Sequence, residues 1–213
     1  MQEVLPDIFH WPAMHPRIHM EVSSYWLEDG GILIDPLVPT EVGLEWFEHR
    51  PTAPAEILLS NRHHYRDSAA FQDIYCCPVY CNRAGLHEFT SGERVVAFDP
   101  GDSLPGGVIA QEVGGLCADE TALYLPSRRA MLFADGVVRG GSQGQTGRLG
   151  FVPDVLMDDP PETKRHLLDA FSRLLAELEF DHLLLAHGGP VIGDGRAQLE
   201  EFVECGGRTA FQM

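Results

Sequence analysis

Three apolar runs in this chain stop at ionisable side chains, and those stops are where chemistry could be done. Ile57-Leu58-Leu59 runs into Asn61, Arg62, His63, His64, Tyr65, Arg66 and Asp67. Met131-Leu132-Phe133-Ala134 ends at Asp135, and Leu183-Leu184-Leu185-Ala186 ends at His187. Short apolar runs of this kind read as strands buried on both faces. Sheets in α/β proteins keep their ligand sites just beyond the carboxyl ends of such strands. If the three strands adjoin, His63, Asp135 and His187 converge, and imidazole with carboxylate suits a divalent zinc, iron or manganese ion. Asn61, His64, Tyr65, Arg66 and Asp67 then become candidates to bind a substrate. Arg139 and Arg148 join them, since they flank a glycine-rich segment and could orient an anionic group. Taken singly, each of these residues also reads as an ordinary solvated loop residue.

The elements that must position these groups follow from pattern and punctuation. Val4 to His10 reads as an edge strand. Ile18 to Glu28 alternates into the turn Asp29-Gly30-Gly31 and a second strand, Ile32-Leu33-Ile34, that ends at Asp35 and Pro36. Thr40 to His49 predicts a short helix capped by Thr40. A helix from Asp67 or Ser68 to about Ile74 follows the histidine cluster, then a strand at Pro78 to Cys81 and a short helix capped by Asn82. Strands are expected at 94–98, 108–113, 121–125 and 130–134, separated by glycine and proline turns. The stretch between Asp135 and Asp159 is long and glycine-rich, the kind of loop that carries function. Asp159-Pro160-Pro161-Glu162 is a strong helix start, and Leu167, Leu168, Phe171, Leu174, Leu175 and Leu178 place one face of that helix in a core. A last strand, His182 to Ala186, and a helix near 196–205 close the chain.

With 213 residues, the chain is long enough for one well-buried domain spanning 1–213. Its formal charge of -17 argues against nucleic acid or an anionic membrane as partner, because both need a surplus of Lys and Arg. The start, MQEVLPDIFHWP, has no basic segment leading into an apolar core, so no signal peptide is expected, and no run is apolar enough to span a bilayer. The five cysteines match no zinc-binding spacing and read as reduced thiols of a cytoplasmic protein. The partner implied is a small molecule, and the edge hairpin at 18–35 offers a surface on which two copies could pair.

The order of these motifs resembles one family. A hairpin ends in ILIDP; a strand leads into a histidine-rich turn; after a helix and a meander come ALYLP, MLFAD and a final AHGGPV. This looks like the metallo-β-lactamase fold, over about Ser23 to Phe202. The resemblance implies a four-layer αβ/βα sandwich of two mixed β-sheets flanked by helices. Hydrolases of the family carry His-x-His-x-Asp-His, a middle Gly-His, a bridging Asp and a late Gly-His-Gly. Here Asn61 stands at the first His, His63 at the second, Tyr65 at the Asp and Arg66 at the last His, while Leu116 takes the middle His. Sliding the first motif by two residues recovers His63 and Asp67 but restores no dinuclear site. His63, Asp135 and His187 are what remains, and Arg66 would carry a fixed positive charge where a cation once sat, able to pair with Asp135. Two readings stand. One is a hydrolase of a small ester, thioester or phosphoester with an altered or single-metal site, holding fewer ions than the family's two. The other is a catalytically silent, metal-free member that binds a small anionic ligand or a protein.

Overall fold

The computed structural model describes residues 1–140 and 147–207; the centre of the glycine-rich segment, residues 141–146, lies outside them. The chain opens with a hairpin rather than the single edge strand expected at 4–10. Pro6 and Asp7 turn the backbone between β1 (Gln2–Leu5) and β2 (Ile8–Met14), and Asp7 takes a φ of 61°. β3 (Glu21–Leu27) and β4 (Ile32–Ile34) continue the antiparallel ladder. Gly31 between them has a φ of 68°, and a Cβ there would sit 2.5 Å from the Ala53 carbonyl, so the turn needs glycine. β5 (Glu56–Leu58), β6 (Val79–Asn82) and β7 (Val95–Phe98) then add in parallel, completing a seven-stranded mixed sheet in chain order.

Parallel neighbours require crossovers. Here they are α1 (Glu45–Glu48), α2 (Ser68–Tyr75) and a 3-10 helix at Arg83–Glu88, whose first turn is capped by Asn82 accepting from the Ala84 N–H at 3.0 Å. α1 is shorter than the 40–49 helix expected. Leu44 precedes it without a side-chain cap, and Thr40 has no capping role.

β8 (Ile109–Glu112), β9 (Thr121–Leu125), β10 (Ala130–Phe133) and β13 (His182–Leu185) form a second mixed sheet, in the order β13-β10-β9-β8. β11 (Val138–Arg139) and β12 (Leu149–Gly150) pair with each other at the two ends of the glycine-rich segment. α3 (Pro160–Glu177) and α4 (Gly195–Glu204) cover the outer face. Asp159 caps α3, accepting from the Glu162 N–H at 3.1 Å, as the sequence pattern requires.

Alternation along the strands sorts the core into layers. Ala130 and Leu132 of β10 join Ile32 and Ile34 of β4 between the sheets. Met131 and Phe133 pack outward against Leu167, Phe171 and Leu174 of α3. Leu33 and Ile57 pack the other way, with Phe47 and Phe71 of α1 and α2. This is the expected αβ/βα sandwich. At one edge the apolar filling gives way to polar stitching between the sheets. The Ser23 N–H donates to the Ala186 carbonyl at 2.8 Å, and the Thr121 N–H to the Ser60 carbonyl at 3.0 Å. The Tyr25 hydroxyl both donates to and accepts from the Leu185 backbone at 2.9 Å. Among the described residues no helix is long and apolar enough to cross a membrane.

Candidate functional site

At that stitched edge five strands deliver polar groups. β4 ends at Asp35, β5 at Ser60 and Asn61, β10 at Asp135 and β13 at His187, while Glu120 stands at the start of β9. Because β9 runs antiparallel to β10, its beginning lies at the same edge as β10's end. Asn61 caps the 3-10 turn Arg62–Tyr65, its Oδ1 accepting from the His63 N–H at 3.0 Å. The turn kinks at His64, where φ is -93° and ψ 19°, and only one of the two histidines faces the edge. It is His64. Its Nε2 lies 3.3 Å from Asp135 Oδ1, and its Nδ1 lies 3.0 Å from Asp35 Oδ2 and 2.9 Å from the Ser60 hydroxyl. His187 Nε2 lies 2.9 Å from the same Asp135 Oδ1. Asp135 keeps 25% of its side chain exposed and His187 15%, against 6% for His64, so the cluster is approached from the Asp135–His187 side.

The electrostatics are those of a tightly compensated pocket. Burial resists a charged His64, and Arg66 adds to that, but Asp135 and Asp35 prevail and raise its pKa to about 9. Burial favours the protonated forms of Asp35 and Asp135 too. His64 and Arg66 nevertheless hold Asp35 below its usual value, and His64 and His187 hold Asp135 well below. Burial, reinforced by the Asp135 charge, drives Glu120 the other way, to about 8. Its Oε1 accepts from the Asp135 and Gly136 N–H groups at 2.7 and 2.6 Å, and its Oε2 from Asn61 at 3.1 Å. Arg66 stands at a φ of 44° and Asp35 at 49°, left-handed conformations that side chains adopt at a cost and that often mark functional sites.

Several residues singled out from sequence lie elsewhere. His63 is exposed and does not join Asp135 and His187, because the cap on Asn61 fixes the turn with His64 inward. Arg66 makes no direct bond to Asp135. Its Nη1 donates to the Ser23 and Asp35 carbonyls, both at 2.7 Å, while its Nη2 is buried without a partner among the described residues. Tyr65 donates to Gln72 at 2.9 Å and packs on Phe89. Asp67 accepts from the Val38 N–H at 2.8 Å, anchoring the loop after Asp35. Arg139 braces the far side of His187: its N–H donates to the His187 carbonyl at 2.9 Å, and its guanidinium to the carbonyls of Gly147 and Pro190. Arg148 is exposed, in a separate hollow with Asp194 and Gln198. Asn61, expected to meet substrate, is fully buried and donates to Asp135 Oδ2 at 2.8 Å. Burial, with Glu120 and Asp119 beside it, pushes the Cys117 thiol far above its usual range. Glu120 escaped notice in the sequence. The signal was there, an acidic pair, Asp119-Glu120, set directly before an apolar strand. A surface hollow of about 760 Å³ is walled by Gly189, Pro190, Met14 and Val42 but by none of His64, Asp135 or His187.

A metal fits three of these donors. The ligating atoms of His64, Asp135 and His187 all lie within 4.8 Å of one another. Bond lengths of 2.0–2.1 Å to zinc imply ligand separations of about 3.3 Å across a tetrahedron. The two histidine nitrogens stand 3.3 and 2.9 Å from Asp135 Oδ1. Asp35 on Nδ1 leaves His64 Nε2 to face the cluster, the usual outer support of a ligating histidine. Among the described residues no second such group exists.

No protein-family model matches the chain, and no curated protein does. Solved structures match over nearly its whole length. A metallo-β-lactamase from Pontibacter korlensis superposes with a TM-score of 0.68 over 96% of this chain and 97% of its own, at 17% identity. A metallo-β-lactamase family protein from Thermus thermophilus gives 0.66 over 95% and 80%, at 19% identity. Rubredoxin oxygen:oxidoreductase from Desulfovibrio gigas gives 0.67 over 96% and 61%, at 12% identity. The chain therefore has the metallo-β-lactamase fold. A fold shared by lactamases and an oxidoreductase does not choose the reaction, which must be argued from the site.

Proposed function

We propose that this chain is a hydrolase of a small ester, thioester or phosphoester, working with one divalent metal held by His64, Asp135 and His187. The observation that carries the proposal is the convergence of those three donors from separate strand ends onto a partly open edge. When bound, such a metal supplies a Lewis acid and lowers the pKa of its water to about 7. The chain's own residues do the rest. Asp35 and Ser60 orient His64 through Nδ1. Arg139 fixes the backbone of His187, and Gly188 beyond it, at a φ of 92°, turns the chain away. Arg66 adds a fixed positive charge near Asp35 and Asp135, whose attraction opposes the cost of its burial.

A second reading, a metal-free ligand pocket, is favoured by one feature. Asp135 Oδ1 already meets both histidines, so the cluster can close on itself. Elemental analysis of untagged protein purified without chelators separates the two. The hydrolase reading expects about one equivalent of zinc, iron or manganese, retained in His63→Ala and lost in His187→Ala. Far less than one equivalent in the wild type would refute it. An ester and phosphoester screen with the loaded protein then addresses substrate class.

A further inference from the structure

We infer that Asn61 and Glu120 are positioning residues of this centre: together they fix the Asp135 carboxylate so that Oδ1, and not Oδ2, faces His64 and His187. The inference rests on the hydrolase reading only for its metal readout; the placement of Asp135 is tested separately. Asp135 sits on the turn after β10, where nothing in the strand ladder dictates its side-chain rotamer. Two buried neighbours remove that freedom. Glu120 Oε1 holds the backbone, accepting from the N–H of Asp135 at 2.7 Å and of Gly136 at 2.6 Å. Asn61 Nδ2 holds the side chain, donating to Asp135 Oδ2 at 2.8 Å.

The two holders also hold each other. The Asn61 amide nitrogen donates to Glu120 Oε2 at 3.1 Å, and its oxygen accepts from the His63 N–H at 3.0 Å, so the amide cannot flip without losing three bonds. Asn61 is 0% exposed and Glu120 1%, so water cannot replace either partner. With Oδ2 committed to Asn61, Oδ1 is left for the two imidazoles. The clamp links three places distant in sequence, the ends of β5 and β10 and the start of β9, and so sets the ligand where all three meet. Outer supports of this kind change metal affinity by roughly 10–100-fold when removed.

The test uses the full chain and two variants, Asn61→Ala and the near-isosteric Glu120→Gln, whose amide would face the Asn61 amide donor to donor. Crystal structures report the Asp135 carboxylate. Chelator competition gives zinc affinity, and cobalt(II) loading gives a visible spectrum sensitive to ligand geometry. Expected results are a rotated Asp135 carboxylate in both variants, zinc binding weakened by about 10–100-fold, and a shifted cobalt spectrum. A role in folding alone would lower the melting temperature and leave the spectrum of the bound ion unchanged. An Asp135 carboxylate that keeps its place in both variants overturns the inference. Should the wild type take up neither metal, the hydrolase reading falls, and the Asp135 position in the variants still decides the clamp.

Discussion

His10 is the residue through which acid should loosen the floor beneath the candidate site. It is 5% exposed, lies 2.9 Å from the Ser23 hydroxyl through Nε2, and packs on the ring of Tyr25. The Ser23 hydroxyl in turn donates to the Gly188 carbonyl next to His187, and the Ser23 backbone carbonyl accepts from Arg66. Burial lowers the His10 pKa from 6.5 to about 4. A base whose folded pKa is depressed stays neutral in the native state while the unfolded chain takes up a proton. Its contribution is therefore complete above pH 6.5 and is lost as pH falls toward 4. At about 1.4 kcal/mol per pKa unit the full effect is on the order of 3 kcal/mol, with about 2 kcal/mol already lost at pH 5. The assay is urea unfolding at pH 7.5 and pH 5, for the wild type and for His10→Gln, which can keep the bond to Ser23 but carries no titrating group. The wild type should lose about 2 kcal/mol more than the variant between the two conditions. Equal losses would refute the reasoning, since they would mean that acid acts through other groups.

Three further outcomes are expected. His64 and Glu120 have folded pKa values raised to about 9 and about 8. The stability they confer is present below their unfolded values and lost as pH rises through the folded ones. Chelator-treated protein should therefore melt at lower temperature as pH goes from 6 to 9; a melting temperature that climbs over this range contradicts the assignment. Tyr25→Phe removes the hydroxyl that satisfies both backbone groups of Leu185, and should cost about 1–3 kcal/mol in denaturant unfolding, an outcome excluded by a neutral result. Asp159→Ala deletes the cap of α3 and should cost about 1 kcal/mol, while Asp159→Asn should recover most of it.

Much of the architecture was legible in the sequence because local rules decide it. Apolar runs ending in a charge marked β5, β10 and β13, and the Asp159-Pro-Pro-Glu162 start marked α3, since capping and periodicity act over a few residues. The motif order pointed to the fold. The split of β1 from β2 and the shortening of α1 were less legible, because a Pro-Asp turn and a run of turn residues compete with periodicity that is itself weak.

Sequence alone placed Asp135 and His187 at strand ends, for the end of a buried strand is a position along the chain. It could not decide which histidine of the pair at 63 and 64 turns inward. That depends on the rotation of one 3-10 turn, set by the Asn61 cap and by Asp35 reaching across from β4. Nor could it find Glu120, which joins the cluster only because β9 runs antiparallel to β10 and brings its first residues to β10's last. Strand ends are written locally; which side chains meet there is decided by pairing between segments far apart in the chain, and only the packed sheets express it.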